Sequence, residues 1–361
     1  MITEQTVLQA LSTVKDPELH RDLVSLGMVR NVRVAGADVN VEVMLTTPAC
    51  PLRSKIENDC REALGRIPGI GQVTIRMGGT VTAPRPAPTA AAGIPGVKHV
   101  IAVASGKGGV GKSTVSVNLA VALAETGAKV GLLDADVYGP SIPVMMGVNR
   151  VPDMDPGQRI IPLEAHGVKL MSLGFLLPDA STPVIWRGPM IGKALTQFLR
   201  DVNWGELDYL LIDLPPGTGD AQLTLSQSVA MAGAVIVMTP QDVASIIAGR
   251  VLVMFRKMRV PILGIIENMS TFLCPTCHEE TRIFSQGGGA RASRELEAPL
   301  LGEIPLDAGV CEGGDAGLPV LIREPDSPIA EVFREVAKRL AGRVSVEALR
   351  AESEAPRITT H

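Results

Sequence analysis

The chain has 361 residues, of which 46% are hydrophobic, 20% are charged and 3% are aromatic. This composition is typical of a globular protein with two or three domains. A net charge of −4 and few aromatic side chains argue against a general nucleic-acid-binding protein. No apolar run reaches the roughly 18 residues that a membrane span needs, and no secretory signal opens the chain. We therefore expect a cytoplasmic protein that engages neither membrane nor nucleic acid.

A proline- and alanine-rich segment, residues 83–97, predicts a semi-stiff linker between two domains. Before it, apolar spacing predicts a small α+β domain over residues 1–82. Its predicted elements are helices over 5–14 and 52–64 and strands over 28–34, 39–45 and 72–77. After it, residues 98–345 form the predicted large domain, and 346–361 a flexible tail.

The large domain alternates short apolar strands with helical stretches. This alternation predicts an α/β fold with a doubly wound, mostly parallel sheet that is covered on both faces. The predicted strands are residues 99–104, 130–133, 209–212, 234–238, 262–266 and 300–304.

A glycine-rich segment between the first of these strands and a predicted helix has the pattern G-x-x-x-x-G-K-[ST]. In such a loop, backbone N–H groups surround a phosphate, the lysine reaches the β- and γ-phosphates, and the hydroxyl ligates Mg²⁺. The segment therefore predicts an ATP and Mg²⁺ site. Its residues are Gly106, Lys107, Gly108, Gly109, Val110, Gly111, Lys112, Ser113 and Thr114.

The additional lysine, Lys107, resembles the signature of the deviant Walker A class, which includes MinD, ParA, ArsA and the nitrogenase iron protein. The resemblance implies a homodimer in which Lys107 reaches the partner's nucleotide and acts in catalysis with Lys112. The simpler alternative is that Lys107 only adds local positive charge.

Three aspartates follow predicted strands, where side chains face the ligand crevice of a parallel sheet. Asp213 matches the Walker B position and would hold Mg²⁺ together with Ser113. Asp136 matches the switch I residue that orients the attacking water in this class. Asp134 joins the ATP and Mg²⁺ set, although a structural role suits it better. Residues 215–220 resemble switch II.

Two later polar residues complete the predicted nucleotide site. Asn268 follows the strand over 262–266, and the resemblance implies that it reads the adenine edge. Asp307 either does the same or caps a helix.

The pair Cys274 and Cys277 has C-x-x-C spacing, which lets two thiolates share one centre. The same spacing also occurs in half of a zinc site, in a thioredoxin-like redox pair and in a c-type haem attachment. No second pair lies near it, the redox motif belongs to another fold, and haem attachment needs an exported chain. A fourth interpretation joins two chains, whose four cysteines bridge an iron–sulfur cluster. We favour this one, with a bridging zinc ion next.

Several longer strings, at residues 134–141, 186–190, 215–220, 267–270 and 274–277, resemble the Mrp/ApbC family of iron–sulfur cluster carrier ATPases. The resemblance implies a slow Mg²⁺-dependent ATPase that binds a 4Fe–4S cluster between two chains. It also implies transfer to apo iron–sulfur proteins and contact with cluster scaffold proteins. Cys311 departs from the family, which usually has a basic residue there.

The small domain resembles the iron–sulfur assembly module that many bacterial members carry. Pro51 suits the first turn of the helix over 52–64, which places Cys50 at its cap. The helix dipole would then favour the thiolate and make Cys50 a candidate accessory ligand. Cys60, inside the same helix, is predicted to be core.

Two alternative functions share most of these features. A positioning ATPase resembling MinD or ParA would need a membrane-binding or DNA-binding surface. An ATP-gated electron donor resembling the nitrogenase iron protein would keep its cluster and cycle its redox state.

Overall fold

The computed structural model describes residues 2–82, 93–136, 139–176, 188–274, 277, 279–284 and 287–354. The chain divides into two units, Met1–Thr82 and Ala83–His361. Most of the predicted linker lies outside the described residues, and the second unit's first strand begins at Val97.

The first unit has two helices and one three-stranded sheet. Thr3 caps the first helix because its hydroxyl oxygen accepts from the Thr6 backbone N–H at 3.2 Å. In the sheet, β1 is antiparallel to β2, and β2 is parallel to β3. Alternate residues of β2 are buried beneath the helices, as a one-sided sheet requires. The elements are α1 (Glu4–Leu11), β1 (Val29–Ala35), β2 (Asp38–Leu45), α2 (Arg53–Gly65) and β3 (Val73–Gly79).

The second unit is a nine-stranded sheet with helices between most of its strands. Its strands are β4 (Val97–Ser105), β5 (Val130–Asp134), β6 (Leu163–Ala165), β7 (Val168–Ser172), β8 (Leu207–Asp213), β9 (Gly233–Met238), β10 (Ile262–Leu273), β11 (Glu280–Thr281) and β12 (Leu300–Leu306). Its helices are α3 (Lys112–Glu125), α4 (Ile142–Met145), α5 (Gly188–Asp201), α6 (Asp220–Ser228), α7 (Asp242–Lys257), α8 (Gly288–Glu295), α9 (Ala308–Ala316), α10 (Val320–Arg323) and α11 (Pro328–Glu354).

The strand order is β11-β10-β9-β4-β8-β5-β7-β6, and β12 also pairs with β10. Among the described residues, β6 and β11 run antiparallel to their neighbours, whereas the other pairings are parallel. The central strands are buried along most of their length. This architecture confirms the predicted α/β class with a mostly parallel sheet.

Several features differ from the sequence-based expectations, among them that the first helix ends at Leu11 and that the short strand β11 was not predicted. The hairpin β6–β7 was not predicted, because β6 is only three residues long; its two-residue turn, His166 and Gly167, has positive φ at both positions. Strand β10 continues to Leu273, well past the predicted end at residue 266. Helix α11 extends to Glu354 with Val346 buried, so the predicted tail begins inside a helix.

Helix α11 also bears on the membrane-binding alternative. Its apolar stripe, which includes Ile329, Phe333, Val336 and Leu340, is buried in the core. In the described parts of the chain, no helix is both long enough and apolar enough to cross a bilayer.

Candidate functional site

The phosphate loop connects the end of β4 to the start of α3. Gly109 and Gly111 have φ of 76° and 75°, a left-handed conformation in which a β-carbon is unfavourable. At Gly106, a β-carbon would lie 2.5 Å from Cγ2 of Ile247 on α7. Backbone geometry and close packing therefore explain why three glycines stand at these positions.

Lys112, Ser113 and Asp213 meet at the base of this loop. The Lys112 Nζ lies 2.7 Å from Asp213 Oδ2, and the Ser113 hydroxyl donates to the same oxygen at 2.6 Å. Lys112 is 6% exposed and Asp213 is fully buried, so the two charges compensate each other away from water. The sequence placed these three residues in one site, and the structure brings them together.

Ser116 was missed by the sequence analysis. Its hydroxyl lies 2.6 Å from Asp213 Oδ1 and 3.0 Å from the Lys112 carbonyl oxygen. Asp213 is thereby held through both carboxylate oxygens. The sequence offered only a weak signal, a serine between Val115 and Val117 on a largely apolar helix.

Asp134 lies beside Asp213, because the two residues are paired in register at the ends of β5 and β8. Its carboxylate accepts from the Asp136 backbone N–H at 3.1 Å and from the Ser172 hydroxyl at 3.1 Å. Burial, and secondarily the charge of Asp213, raises the pKa of Asp134 to about 8. This shift disfavours the charged carboxylate, and both oxygens already accept hydrogen bonds from the chain, so Asp134 suits a structural role better than cation binding.

Asp136 is half-buried at the same edge of the sheet, and its backbone orientation is fixed by Asp134. The next two residues of the switch I string, 137 and 138, lie outside the described residues, as do 186 and 187 of the second family string. The switch II segment is tied to β4 through a hydrogen bond from the Gly217 N–H to the Ser105 carbonyl, 2.9 Å long. The side-chain amide of Gln222 supports it by donating to the Pro215 carbonyl at 2.6 Å.

Lys107 lies against its own chain. Its Nζ donates to Gln241 Oε1 at 3.1 Å, and the same oxygen accepts from the Thr239 hydroxyl at 2.5 Å. Thr239 and Gln241 follow the carboxyl end of β9, so this end of the strand holds Lys107 beside the phosphate loop.

Asn268 lies inside β10 rather than after a strand, which corrects the predicted position. It is buried, and its side-chain amide donates to the Val110 carbonyl in the phosphate loop at 2.9 Å. Asp307 is the N-cap of α9, because its Oδ1 accepts from the Val310 N–H at 3.2 Å. Of the two predicted roles of Asp307, the hydrogen bond with Val310 supports the helix cap.

The cysteine pair lies at the tip of the β10–β11 hairpin, whose strands are paired at Phe272–Thr281 and Leu273–Glu280. The Cys274 N–H donates to the Glu279 carbonyl at 3.1 Å, which closes the hairpin. Cys274 is partly buried and Cys277 is exposed. Within the described part of the chain, no group of three or more His, Cys, Asp or Glu side chains could hold a metal.

Cys50 does not occupy the predicted cap. Helix α2 begins at Arg53 with Leu52 as its N-cap, and Cys50 packs against the core of the first unit. Burial raises the pKa of the Cys50 thiol to about 11 and outweighs the lowering by a hydrogen bond from the Leu52 N–H, and the charges of Glu18 and Asp16 add smaller raising effects. The expected stabilisation of a thiolate by the helix is thus outweighed. Cys60 is fully buried, as predicted, and Cys311 is exposed on α9.

Cys50 should therefore react slowly with iodoacetamide in the native chain. A thiol of pKa 11 has about 100-fold less thiolate at pH 8 than one of pKa 9. The native rate should rise with pH up to about 11, and unfolding in urea should raise the rate at pH 8 at least tenfold. Peptide mass spectrometry measures both rates; equal native and unfolded rates at pH 8 would contradict the shift.

Comparisons with known proteins agree with this geometry. A family described as NUBPL iron-transfer P-loop NTPase matches residues 96–341, and one described as iron-sulfur cluster assembly protein matches residues 4–76. An iron-sulfur cluster carrier protein of Synechocystis is 50% identical over 354 residues, which cover 97% of this chain and 100% of the relative.

Two solved structures share the fold. One is a nucleotide-binding protein from Archaeoglobus fulgidus in complex with ADP, with 40% identity and a TM-score of 0.57 over 66% of this chain and 93% of that one. The other is the cell division ATPase MinD of Pyrococcus furiosus, with 25% identity and a TM-score of 0.51 over 67% of this chain and 97% of that one.

Proposed function

Because the chain belongs to the NUBPL iron-transfer P-loop NTPase family, we propose that it is an ATP-hydrolysing carrier of iron–sulfur clusters. It binds a cluster between two copies of itself and passes the cluster to apoproteins. The observation that carries this proposal is a pair of cysteines at an accessible hairpin tip, with too few neighbouring ligands in the described chain to complete a metal centre.

The nucleotide half of the proposal rests on the phosphate loop. Backbone N–H groups of the loop and the N-terminus of α3 bind the phosphates of ATP. Lys112 leaves part of its contact with Asp213 and neutralises the β- and γ-phosphates. The side-chain oxygens of Ser113 and Asp213 lie 2.6 Å apart and are the hard donors that Mg²⁺ prefers, so they fit this ion. Bound there, Mg²⁺ would supply charge neutralisation between the phosphates.

Asp136 orients the water that attacks the γ-phosphate. Asp136→Ala should keep ATP binding but lower turnover about 100-fold, the usual scale for loss of a group that positions or activates a reactant. Binding of a fluorescent ATP analogue and release of phosphate measure the two quantities. Asp153→Ala is the control, because Asp153 is an exposed aspartate in the same unit. Unchanged turnover in Asp136→Ala would remove the residue from this role.

The cargo half rests on symmetry. Two hairpins related by a two-fold axis present four thiolates, which complete the coordination of one 4Fe–4S cluster. Lys107, released from Gln241, reaches the nucleotide of the partner across the same interface. One interface then serves both ATP and the cluster. ATP can change how tightly the cluster is held only if ATP binds two states of the dimer with different affinities.

Anaerobic reconstitution with iron and sulfide, followed by native mass measurement, tests the carrier directly. We expect a dimer of twice the 38.0 kDa chain mass that holds about four iron and four sulfide ions per two chains. A monomer that holds a full cluster, or zinc retained in place of iron, would contradict the shared cluster.

The electron-donor alternative differs in the fate of the cluster. When the loaded chain is mixed with an apo-acceptor and ATP, a carrier loses iron and sulfide to the acceptor. An electron donor keeps both and changes its absorbance through oxidation. Iron and sulfide analysis of the separated proteins distinguishes these two outcomes.

A further inference from the structure

Strand β10 contains a bulge between Asn268, which contacts the phosphate loop, and Phe272, where the cysteine hairpin begins. Its pairing with β12 passes from Asn268–Ile304 to Phe272–Leu306, so four steps along β10 match two steps along β12. Met269, at the start of this bulge, has φ of 57°. A left-handed conformation is unfavourable for a residue with a β-carbon, and it persists only where the surroundings hold it.

The surroundings that hold it belong to the nucleotide site. Asn268 donates to the Val110 carbonyl at 2.9 Å. The neighbouring Met269 places its Cε 3.6 Å from where a β-carbon on Gly111 would lie. Gly111 is itself left-handed and is the N-cap of α3. Asn268 thus contacts the phosphate loop directly, and the side chain of Met269 lies beside Gly111.

The other end of the bulge leads directly to the cysteines. Phe272, which ends the irregular pairing with β12, is also the first residue paired with β11. Cys274 follows two residues later and is fixed by its bond to Glu279. Cys274 is therefore only five residues after Met269 along the chain. The last residues of this segment, Phe272 and Leu273, are held by regular pairing with β11.

We propose that this bulge, residues 268–272, couples the phosphate loop to the cysteine hairpin. Filling the loop with a nucleotide changes how Val110 and Gly111 lie against Asn268 and Met269, and the bulge relays the change to Cys274 and Cys277. Linkage requires reciprocity, so a ligand on the hairpin alters nucleotide affinity by the same factor. This inference rests on the proposed function in one respect, which is that the ligand of the hairpin is an iron–sulfur cluster.

Thiol alkylation of the apo full-length chain tests the coupling. The rate at Cys274 and Cys277 is measured by peptide mass spectrometry with and without saturating Mg-ADP. In the native sequence, ADP should change this rate at least threefold in either direction. Met269→Leu keeps the β-carbon and most of the side-chain volume, and should preserve that ratio.

Two variants should reduce the ratio towards one. Met269→Gly adopts positive φ without strain and removes the side chain that lies beside Gly111. Met269→Ala removes the side chain beyond its β-carbon, and it serves if the glycine variant folds poorly. ADP binding is measured for each chain, so that labelling is compared at full occupancy.

A native-like ratio in both variants, or an ADP-saturated native chain that labels at the same rate as the empty one, would overturn the coupling. Neither measurement needs a cluster. A chain that shows the ratio but never loads iron would overturn the carrier function alone, whereas a loaded chain without the ratio would overturn the coupling alone.

Discussion

Lys112→Ala should abolish measurable binding of ATP and ADP. The substitution removes the cation that would meet the β- and γ-phosphates, and it leaves the buried carboxylate of Asp213 without the partner that lies 2.7 Å away. That carboxylate would then oppose the incoming phosphates. Titration of a fluorescent nucleotide analogue measures the loss, and Lys129→Ala is the control because Lys129 is exposed in the same unit.

Loss of stability must be separated from loss of binding. Removing one member of a buried ion pair costs about 3–5 kcal/mol, because the other charge stays buried without compensation. The double variant Lys112→Ala with Asp213→Asn removes both charges, so it should recover part of the unfolding free energy in urea without recovering nucleotide binding. Wild-type affinity in either variant would show that Lys112 does not hold the phosphates.

The sequence was sufficient to predict the placement of the phosphate loop and of the acidic residues around it. Strand-then-helix spacing fixes where the loop lies, and the carboxyl ends of parallel strands converge by geometry alone. The register that sets Asp134 beside Asp213 therefore follows from local pattern plus sheet topology.

Other features depend on contacts between distant residues, for which the sequence carries little local signal. Gln241 contacts Lys107 across 134 residues, and Asn268 contacts Val110 across 158. In the sequence, the bulge in β10 looks like an ordinary change from apolar to polar residues. The pattern therefore predicts a strand that ends at residue 266, whereas β10 continues to Leu273. For Cys50, the sequence pattern predicted a helix cap, whereas the structure places the thiol against the core, where desolvation raises its pKa.

Cys274→Ala and Cys277→Ala should each abolish cluster loading. In a site shared by two-fold symmetry, one substitution removes two of the four thiolates, and two ligands are too few to retain a cluster. After anaerobic reconstitution, iron and sulfide should fall to about a tenth of the wild-type content or less. Nucleotide binding should persist, because the phosphate loop keeps its residues.

Cys311→Ala is the matched control for this pair. Cys311 is also exposed, but it lies on α9, away from the hairpin in sequence and secondary structure. Its loss should leave iron and sulfide content unchanged. Equal loading in wild type and Cys274→Ala would remove the hairpin from cluster binding altogether.

Heterodimers give the sharper test of sharing. Wild-type chain with one affinity tag and the Cys274→Ala, Cys277→Ala chain with another are co-expressed, and dimers that carry both tags are isolated. If each chain held its own cluster, such dimers would contain half the iron of the wild-type dimer. If the cluster bridges two chains, the mixed dimer offers only one pair of thiolates and should contain almost none. The iron content of this single species therefore decides whether the second chain completes the site.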